Sequence, residues 1–468
     1  MTATAGGTGQ ALWPQALPWR EPAAVAAALA RAYGREGLIW LDGDGSALGR
    51  HATLAADPLE QRVCRGRPGE PGAVDPFQVL AELAARAAGE PAHWSGWLSY
   101  EAGAWLEPAP HWRASAMASL WLARHDPVLR FDLRERRLVM EGSDPERNAA
   151  LAALVTDLPE PAGVGGAPRR GGAADGEGSD LPPTSAIPLE GWRWHTDPAG
   201  FARGVERIRA WIAAGDLFQA NLTACVEQTL AAAPDPLALY GQLRGHCPAP
   251  FAGLAIGGDG AAGEAVLSAS PERFLQVSGT GLIETRPIKG TRPRYRDPER
   301  DADAAAELVC SPKDRAENVM IVDLLRNDLG RVCVPGSIAV PQLVGLESYP
   351  QVHHLTSVVT GQLAPGRSWV DLLRASWPGG SITGAPKVRA CQRLGELEPV
   401  ARGPYCGALL RLDWDGSFDS NILIRTLLMQ GAQLRLHAGC GIVADSDPAA
   451  EAEELGWKLQ PLLRALAG

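Results

Sequence analysis

The sequence predicts an α+β fold built mostly of antiparallel strands. Three observations predict it. Runs with strand-like alternation follow one another across short turns, above all over 336–363 and 405–440. Helical blocks lie between and after those runs. No GxGxxG follows a strand and no P-loop occurs, so a Rossmann or NTPase fold is a poor reading.

Taken in order, residues 1–20 read as a loose start. Pro22–Arg35 is an alanine-rich helix, and Gly37–Asp42 and Arg50–Asp57 are strands. Pro76–Ala88 has helical periodicity, and Trp94–Ala104 is aromatic and glycine-rich. Residues 119–141 read as two strands around Asp126-Pro127, and Asn148–Asp157 as a helix. Over 159–190 Gly, Pro, Ala and Ser dominate with no apolar period, which reads as a flexible linker or insertion. It divides the chain into regions 1–158 and 191–468.

The second region has stronger signals. In Asp197–Gly215, Phe201, Val205, Ile208 and Ile212 share one helical face, and Gly215 stops the helix. Asp216–Val226, Phe251–Ile256, Ala265–Ala269 and Leu282–Thr285 read as strands. Asp297–Gly330 is largely helical. Gly336–Tyr349 and Gln351–Leu363 are strands, and Trp369–Ser376 a helix. A loop from Trp377 enters a helix at Lys387. Tyr405–Trp414, Ser417–Met429 and Gln433–Cys440 read as a three-stranded meander, and Pro448–Leu466 closes as a helix.

Bulk properties narrow the function. The 468 residues carry a net charge of −10, which argues against nucleic acid or an anionic membrane surface as main partner. Eight cysteines are scattered without a CxxC pair, so a disulfide framework or zinc site is not expected. No apolar run has the length of a membrane span, and no signal-like segment opens the chain. A soluble, cytoplasmic protein is the expectation.

The chain is organised around Glu284-Thr-Arg-Pro-Ile-Lys-Gly-Thr-Arg-Pro-Arg294, with Lys289 at its centre. Pro287 and Pro293 forbid regular helix, and Gly290 permits positive φ or close approach to a ligand. The stretch reads as a stiff hairpin. A lysine held there away from water becomes an amine nucleophile or a base.

Two helices each present carboxylates three residues apart. Ser311 suits an N-cap and Pro312 the first helical position, so a capping box is the plain explanation of Asp314. It does not explain Glu317, one turn further on. The rest of that helix is apolar nearly all round and should be buried. In the last helix Asp447 or Ser446 caps, then Glu451 and Glu454 share a face with Lys458 beyond. A solvated Glu454–Lys458 pair is the plain explanation there. If the two helices face each other, four carboxylates converge, a site for a hard cation such as Mg²⁺.

Glu272, in Ser270-Pro-Glu-Arg-Phe274, is a candidate general acid if burial raises its pKa; an ion pair with Arg273 or another arginine is the alternative. His353 and His354 on one strand point to opposite faces. Gly439 and Gly441 offer backbone amides suited to a carboxylate.

SASPERF, ETRPIKGTRPR, SPKDRAENVMIVDLLRNDLGR, SITGAPK, PYCGAL and GCGIVADSDPAAEAEE, in that order, resemble the motifs of the chorismate-utilising enzymes over 196–466. GRHATLAADP and WLSYEAG resemble the family's N-terminal part more weakly. The resemblance implies an antiparallel β-sandwich with outer helices, like anthranilate synthase component I, and an active site in a cleft between two halves. It implies Mg²⁺ bridging enzyme carboxylates and the ring carboxylate of chorismate. Glu317 and Glu454 resemble the direct ligands, while Asp314 and Glu451 fall where acidic residues act through water or by orientation. Thr383, Tyr405, Arg425, Gly439, Gly441 and Lys458 resemble the substrate-binding set, and His354 the active-site histidine.

Two positions sort the family by reaction. Anthranilate-forming members have alanine where Lys289 stands, and one large group that aminates carbon 4 has PIKGT, as here. Isochorismate- and salicylate-forming members carry a water-activating lysine where this chain has Gln219. The resemblance therefore implies a transferase of the transaminase class that adds an amine. Glu272 would protonate the departing carbon-4 hydroxyl, Lys289 would attack carbon 2 with allylic shift, and ammonia would then attack carbon 4. The product is 4-amino-4-deoxychorismate, on the way to p-aminobenzoate and folate. No GxCxGHQ-type amidotransferase motif occurs in the chain, so a separate glutaminase subunit is expected as partner in a heterodimer. Anthranilate formation and a non-catalytic paralogue are the rival readings; no ligand carboxylate is lost, which disfavours the second.

Overall fold

The computed structural model describes residues 14–87, 93–161, 181–182, 186–349 and 352–468. Two large antiparallel sheets dominate it, one of 12 strands and one of 10. In the larger sheet, Ile39–Leu41 pairs with Gly253–Ile256, which leads through Glu264–Ser268, Thr426–Gln430 and Gln433–Ile442 to Gln219–Thr229. In the smaller sheet, His93–Leu98 pairs with Ala408–Leu412, which leads through Phe418–Asn421 and Arg273–Val277 to Leu282–Thr285 and Val352–Gln362.

Strand alternation explains the layering. In Gly253–Ile256, Leu254 and Ile256 join the apolar cluster shared with the outer helices, while Ala255 faces the cluster between the sheets. That inner cluster takes Ile39, Val266 and Leu428 from the larger sheet and Trp97, Trp121 and Leu409 from the smaller. Trp97 and Trp121 stack at 4.8 Å. The helices Pro198–Ala213, Pro236–His246 and Pro448–Ala467 cover the other face of the larger sheet. The expected α+β sandwich with outer helices is therefore the observed fold.

The stretch 159–190 lies mostly outside the described residues, but Leu181 and Ile187 are buried in the core. Both sheets run across this stretch of sequence, since each contains strands from 1–158 and from 191–468. The two regions are separated along the chain and joined by hydrogen bonds.

Several elements differ from expectation. Residues 1–13 lie outside the described residues, yet Gln15–Leu17 is a strand paired with Arg137–Glu141. Residues 119–141 form three strands, because Arg136 takes positive φ at a turn inside the run. Glu60–Cys64 and Pro236–His246 are a further strand and helix. The Lys289 stretch is not a hairpin. Leu282–Thr285 and Ile288–Pro293 lie in line along one edge of Val352–Gln362, interrupted at Arg286-Pro287, where proline cannot donate to the ladder. The expected meander breaks as well: Phe418–Asn421 belongs to the smaller sheet and Thr426–Gln430 to the larger, with Arg425 at φ 51° in the crossing. The helix Pro312–Gly330 buries one face only; Val319, at 40% exposure, is on the outside.

Residues 191–468 alone would leave the pairing edges of Gly253–Ile256 and Ala408–Leu412 bare. That fragment, in circular-dichroism melting and size-exclusion runs, should fail to give a monomer with a cooperative transition. A monomer melting like the full chain would contradict the shared-sheet account.

Candidate active site

The candidate site lies where the two sheets meet two acidic helices, Pro312–Gly330 and Pro448–Ala467. Lys289 sits at a register shift, between its pairing with Leu355 and that of Thr291 with His354. Gly290 provides the irregularity at φ 82°, and a Cβ there would lie 3.0 Å from Asp314. The Lys289 side chain is 12% exposed. Its Nζ lies 3.9 Å from a Glu317 oxygen and donates to the Ser381 carbonyl at 3.4 Å.

Ser381 links that amine to the candidate acid. Its hydroxyl donates to Glu272 Oε1 at 2.8 Å. Arg273 pairs instead with Asp419 and Glu284, so Glu272 is free of the arginine partner considered for it. Glu272 is buried, and burial pushes its carboxyl up to about 7 against the opposing Ser381 hydroxyl, Lys289 and the Ile288 amide. It is thus a proton donor near neutral pH.

The acidic helices do face each other. Lys313 of the first helix pairs with Glu451 of the second at 2.9 Å. Burial holds the Glu317 carboxyl above its ordinary range; Asp314 and Glu451 add to the shift, and Lys289 and Lys313 oppose it. Burial also opposes ionisation of Glu454, but Lys458, Lys313 and Lys289 hold its carboxyl below the ordinary range. Glu451 accepts from the Ser446 hydroxyl at 2.7 Å. Asp447, not Ser446, caps the helix. Ser311 caps the other, but the Asp314 carboxylate turns to Arg292 at 3.4 Å and forms no capping box. Cys440 lies among Glu451 and Glu454, and burial pushes its thiol up to about 12, so it stays protonated. The donor set is carboxylate oxygen, which suits a hard divalent cation; three lysines now balance these charges.

The remaining candidates sort by position. Gly441 faces the cluster: a Cβ there would fall 2.5 Å from Gln219 Nε2, 3.2 Å from Lys289 Nζ and 3.5 Å from Glu317, so those side chains would have to shift. Gly439 has no room, with the Leu222 carbonyl 2.6 Å from its Cβ position. His353 and His354 are both buried. His354 faces Thr291 Oγ1 at 2.8 Å, and burial, reinforced by Arg425, pushes it down to about 3, so it is neutral. Arg425 has no hydrogen bond or ion pair from its guanidinium among the described residues, and burial lowers its pKa from the ordinary value. Thr383 donates to the Gly379 carbonyl at 2.8 Å, and Tyr405 stacks on His437 at 4.9 Å; among the described residues neither side chain hydrogen-bonds to the Lys289 cluster. Lys458 forms the expected pair with Glu454 at 2.7 Å and donates to the Gly439 carbonyl at 2.8 Å. Sequence reasoning missed Ser381 and Lys313. Lys313 stands four residues before Glu317, which is a readable signal, whereas nothing in spacing marks Ser381.

Residues 35–464 match the chorismate binding enzymes.

The chain belongs to the chorismate-binding enzyme family.

Among its relatives, aminodeoxychorismate synthase component 1 of Klebsiella aerogenes is 47% identical over 275 residues, which is 59% of this chain and 59% of that one. The match thus spans less than two thirds of that relative's length. Anthranilate synthase component 1 of Streptomyces coelicolor is 38% identical over 420 residues, covering 85% of this chain and 79% of its own. The solved structure of anthranilate synthase component I from Streptococcus pneumoniae superposes with a TM-score of 0.72 at 26% identity, over 89% of this chain and 92% of that one.

The Glu272 carboxyl gives a signed pH prediction. Its pKa rises from 4.5 to about 7 on folding, so the folded chain takes up a proton between those values that the unfolded chain does not. Stability from this group is therefore full below pH 4.5 and lost as pH rises towards 7, by about 3 kcal/mol at most. Glu272→Gln should raise stability in urea unfolding at pH 8 by about 2–3 kcal/mol and leave it unchanged at pH 4.5. Equal effects at both pH values would contradict the buried-acid assignment.

Proposed function

We propose that this chain converts chorismate and ammonia to 4-amino-4-deoxychorismate, for p-aminobenzoate and folate synthesis. The observation that carries the reading is Lys289: an amine mostly withdrawn from water, 3.9 Å from Glu317 and sharing Ser381 with the buried acid Glu272. The 47% identity to an aminodeoxychorismate synthase component 1 supports it, as does glutamine rather than lysine at position 219.

Glu317 and Glu454 would hold Mg²⁺, with Asp314 and Glu451 orienting them or bridging through water. When bound, the ion supplies charge for the substrate's ring carboxylate and withdraws electrons from the ring. Arg425 would bind a second anionic group, and Gly441, whose Cβ position is 3.2 Å from Lys289 Nζ, would leave room for the ring. By the family resemblance, neutral His354, Thr383, Tyr405, Gly439 and Lys458 would complete the binding surface.

The residues then divide the work. Glu272 gives its proton to the carbon-4 oxygen, which leaves as water. The Lys289 Nζ lone pair attacks carbon 2 with allylic shift, forming a carbon–nitrogen bond. Ammonia attacks carbon 4, the carbon 2–nitrogen bond breaks, and its electron pair returns to Lys289. The proton shed by the new ammonium restores Glu272. Two substitutions replace one direct displacement. The ammonia would come from a separate glutamine amidotransferase subunit.

Anthranilate formation is the second reading, favoured by the longer 38% match to an anthranilate synthase component 1. Chromatography of the products from chorismate, Mg²⁺ and ammonium at high pH separates the two. The expected product is 4-amino-4-deoxychorismate, and Lys289→Ala should lower its rate at least about 100-fold. Anthranilate as the main product would overturn the reading.

A further inference from the structure

A buried ionic cluster that the proposed reaction does not use lies behind the Ser381 loop. Arg402 is 1% exposed. Its Nε and Nη2 donate to the two oxygens of Glu398 at 2.9 and 2.7 Å. Its Nη1 donates to the Ile382 carbonyl at 2.8 Å, and Nη2 also to the Asn221 carbonyl at 2.9 Å. Glu398 in turn accepts the Thr223 amide at 3.0 Å. The Asn221 amide donates to the Thr383 carbonyl at 2.7 Å. One guanidinium and its carboxylate thus tie the loop Gly380–Thr383 to the strand Gln219–Thr229.

This clamp is seated by the N-terminal part of the chain. The Arg402 guanidinium lies 4.5 Å from the centre of the Tyr100 ring, and its backbone amide donates to Glu101 at 2.8 Å. Tyr100 and Glu101 belong to the WLSYEAG stretch, which supplies no group to the reaction.

The geometry points to Arg402 as a positioning residue: held by Tyr100, Glu101 and Glu398, it fixes the Ser381 loop and thereby the spacing of Glu272 and Lys289. Ser381 directly precedes the gripped Ile382, and its hydroxyl and carbonyl are the atoms that meet Glu272 and Lys289. Only a planar fork reaches both Glu398 oxygens and two carbonyls at once; a lysine, with one nitrogen, cannot. A displacement of about 1 Å at reacting groups costs roughly 100-fold in rate, so a buried clamp one residue away is a rate determinant. The catalytic part of this inference rests on the proposed function.

The test uses the full chain with Arg402→Lys and, separately, Glu398→Gln. Two readings are taken: amide hydrogen exchange by segment, and steady-state chorismate consumption with Mg²⁺ and ammonium. Arg402→Lys should speed exchange about tenfold over 379–386 and 219–223 with other segments within about twofold, and lower kcat at least about tenfold with KM within about threefold. Glu398→Gln, which keeps the carbonyl contacts, should move both readings the same way by about threefold. If Arg402→Lys does not fold, Glu398→Gln decides alone. Exchange that rises evenly over the chain, an unchanged loop, or a folded variant with unaltered kcat overturns the inference. If the unaltered chain consumes no chorismate, the proposed function falls, and loop exchange still decides the role of Arg402.

Discussion

The site depends on one electrostatic constraint: Lys289, Glu317 and Glu451 are withdrawn from water together, with Lys313, Lys458 and Glu454 half-exposed beside them. Neither sign is stable there alone, because an unpaired buried charge costs several kcal/mol. Lys289, Lys313 and Lys458 therefore lie against Glu317, Glu451 and Glu454. The balance is incomplete at Glu317, whose carboxyl stays raised by burial despite two lysines. A divalent cation among those oxygens would complete it and release Lys289 from its glutamate. The same dry environment keeps the Glu272 proton in place up to about pH 7.

The fold meets that constraint by bringing distant sequence together. Lys289 comes from a broken edge strand of the smaller sheet, Gly441 and Gln219 from adjoining strands of the larger, and Glu317 and Glu454 from two helices. Register shifts and positive φ occur where these parts meet, at Gly290 and at Arg425. Arg425 stands in the segment that crosses from one sheet to the other, and there its guanidinium is left unpaired among the described residues. The N-terminal strands complete both sheets, and the WLSYEAG stretch reaches the loop behind the amine.

Much of this was legible in the sequence because it rests on local rules. The N-caps at Ser311 and Asp447 set the helical phase that puts Glu317 and Glu454 on facing surfaces. The prolines around Lys289 excluded helix, and the mostly antiparallel class followed from alternation. What was not legible depends on tertiary partners. Periodicity shows that residues 417–429 are strand-like, but not that they change sheets at Ile422–Arg425. It suggests a hairpin at Lys289, whereas both halves pair with a third strand far along the chain, from Leu282 with Gln362 to Pro293 with Val352. Asp314 looked like a capping-box residue until Arg292 proved to be its partner. Ser381 and Arg402 carry no local signature, since their value lies in which carbonyls and carboxylates they reach.

The central claim is that the Lys289 amine is poised to bond substrate carbon, and intact-mass measurement tests it most directly. The chain is mixed with chorismate and Mg²⁺ in the absence of ammonia. The account predicts a covalent species heavier by one chorismate less one water, located at Lys289 by peptide mapping and cleared on adding ammonium. A chain that forms product with ammonium, yet never shows that species, would contradict it.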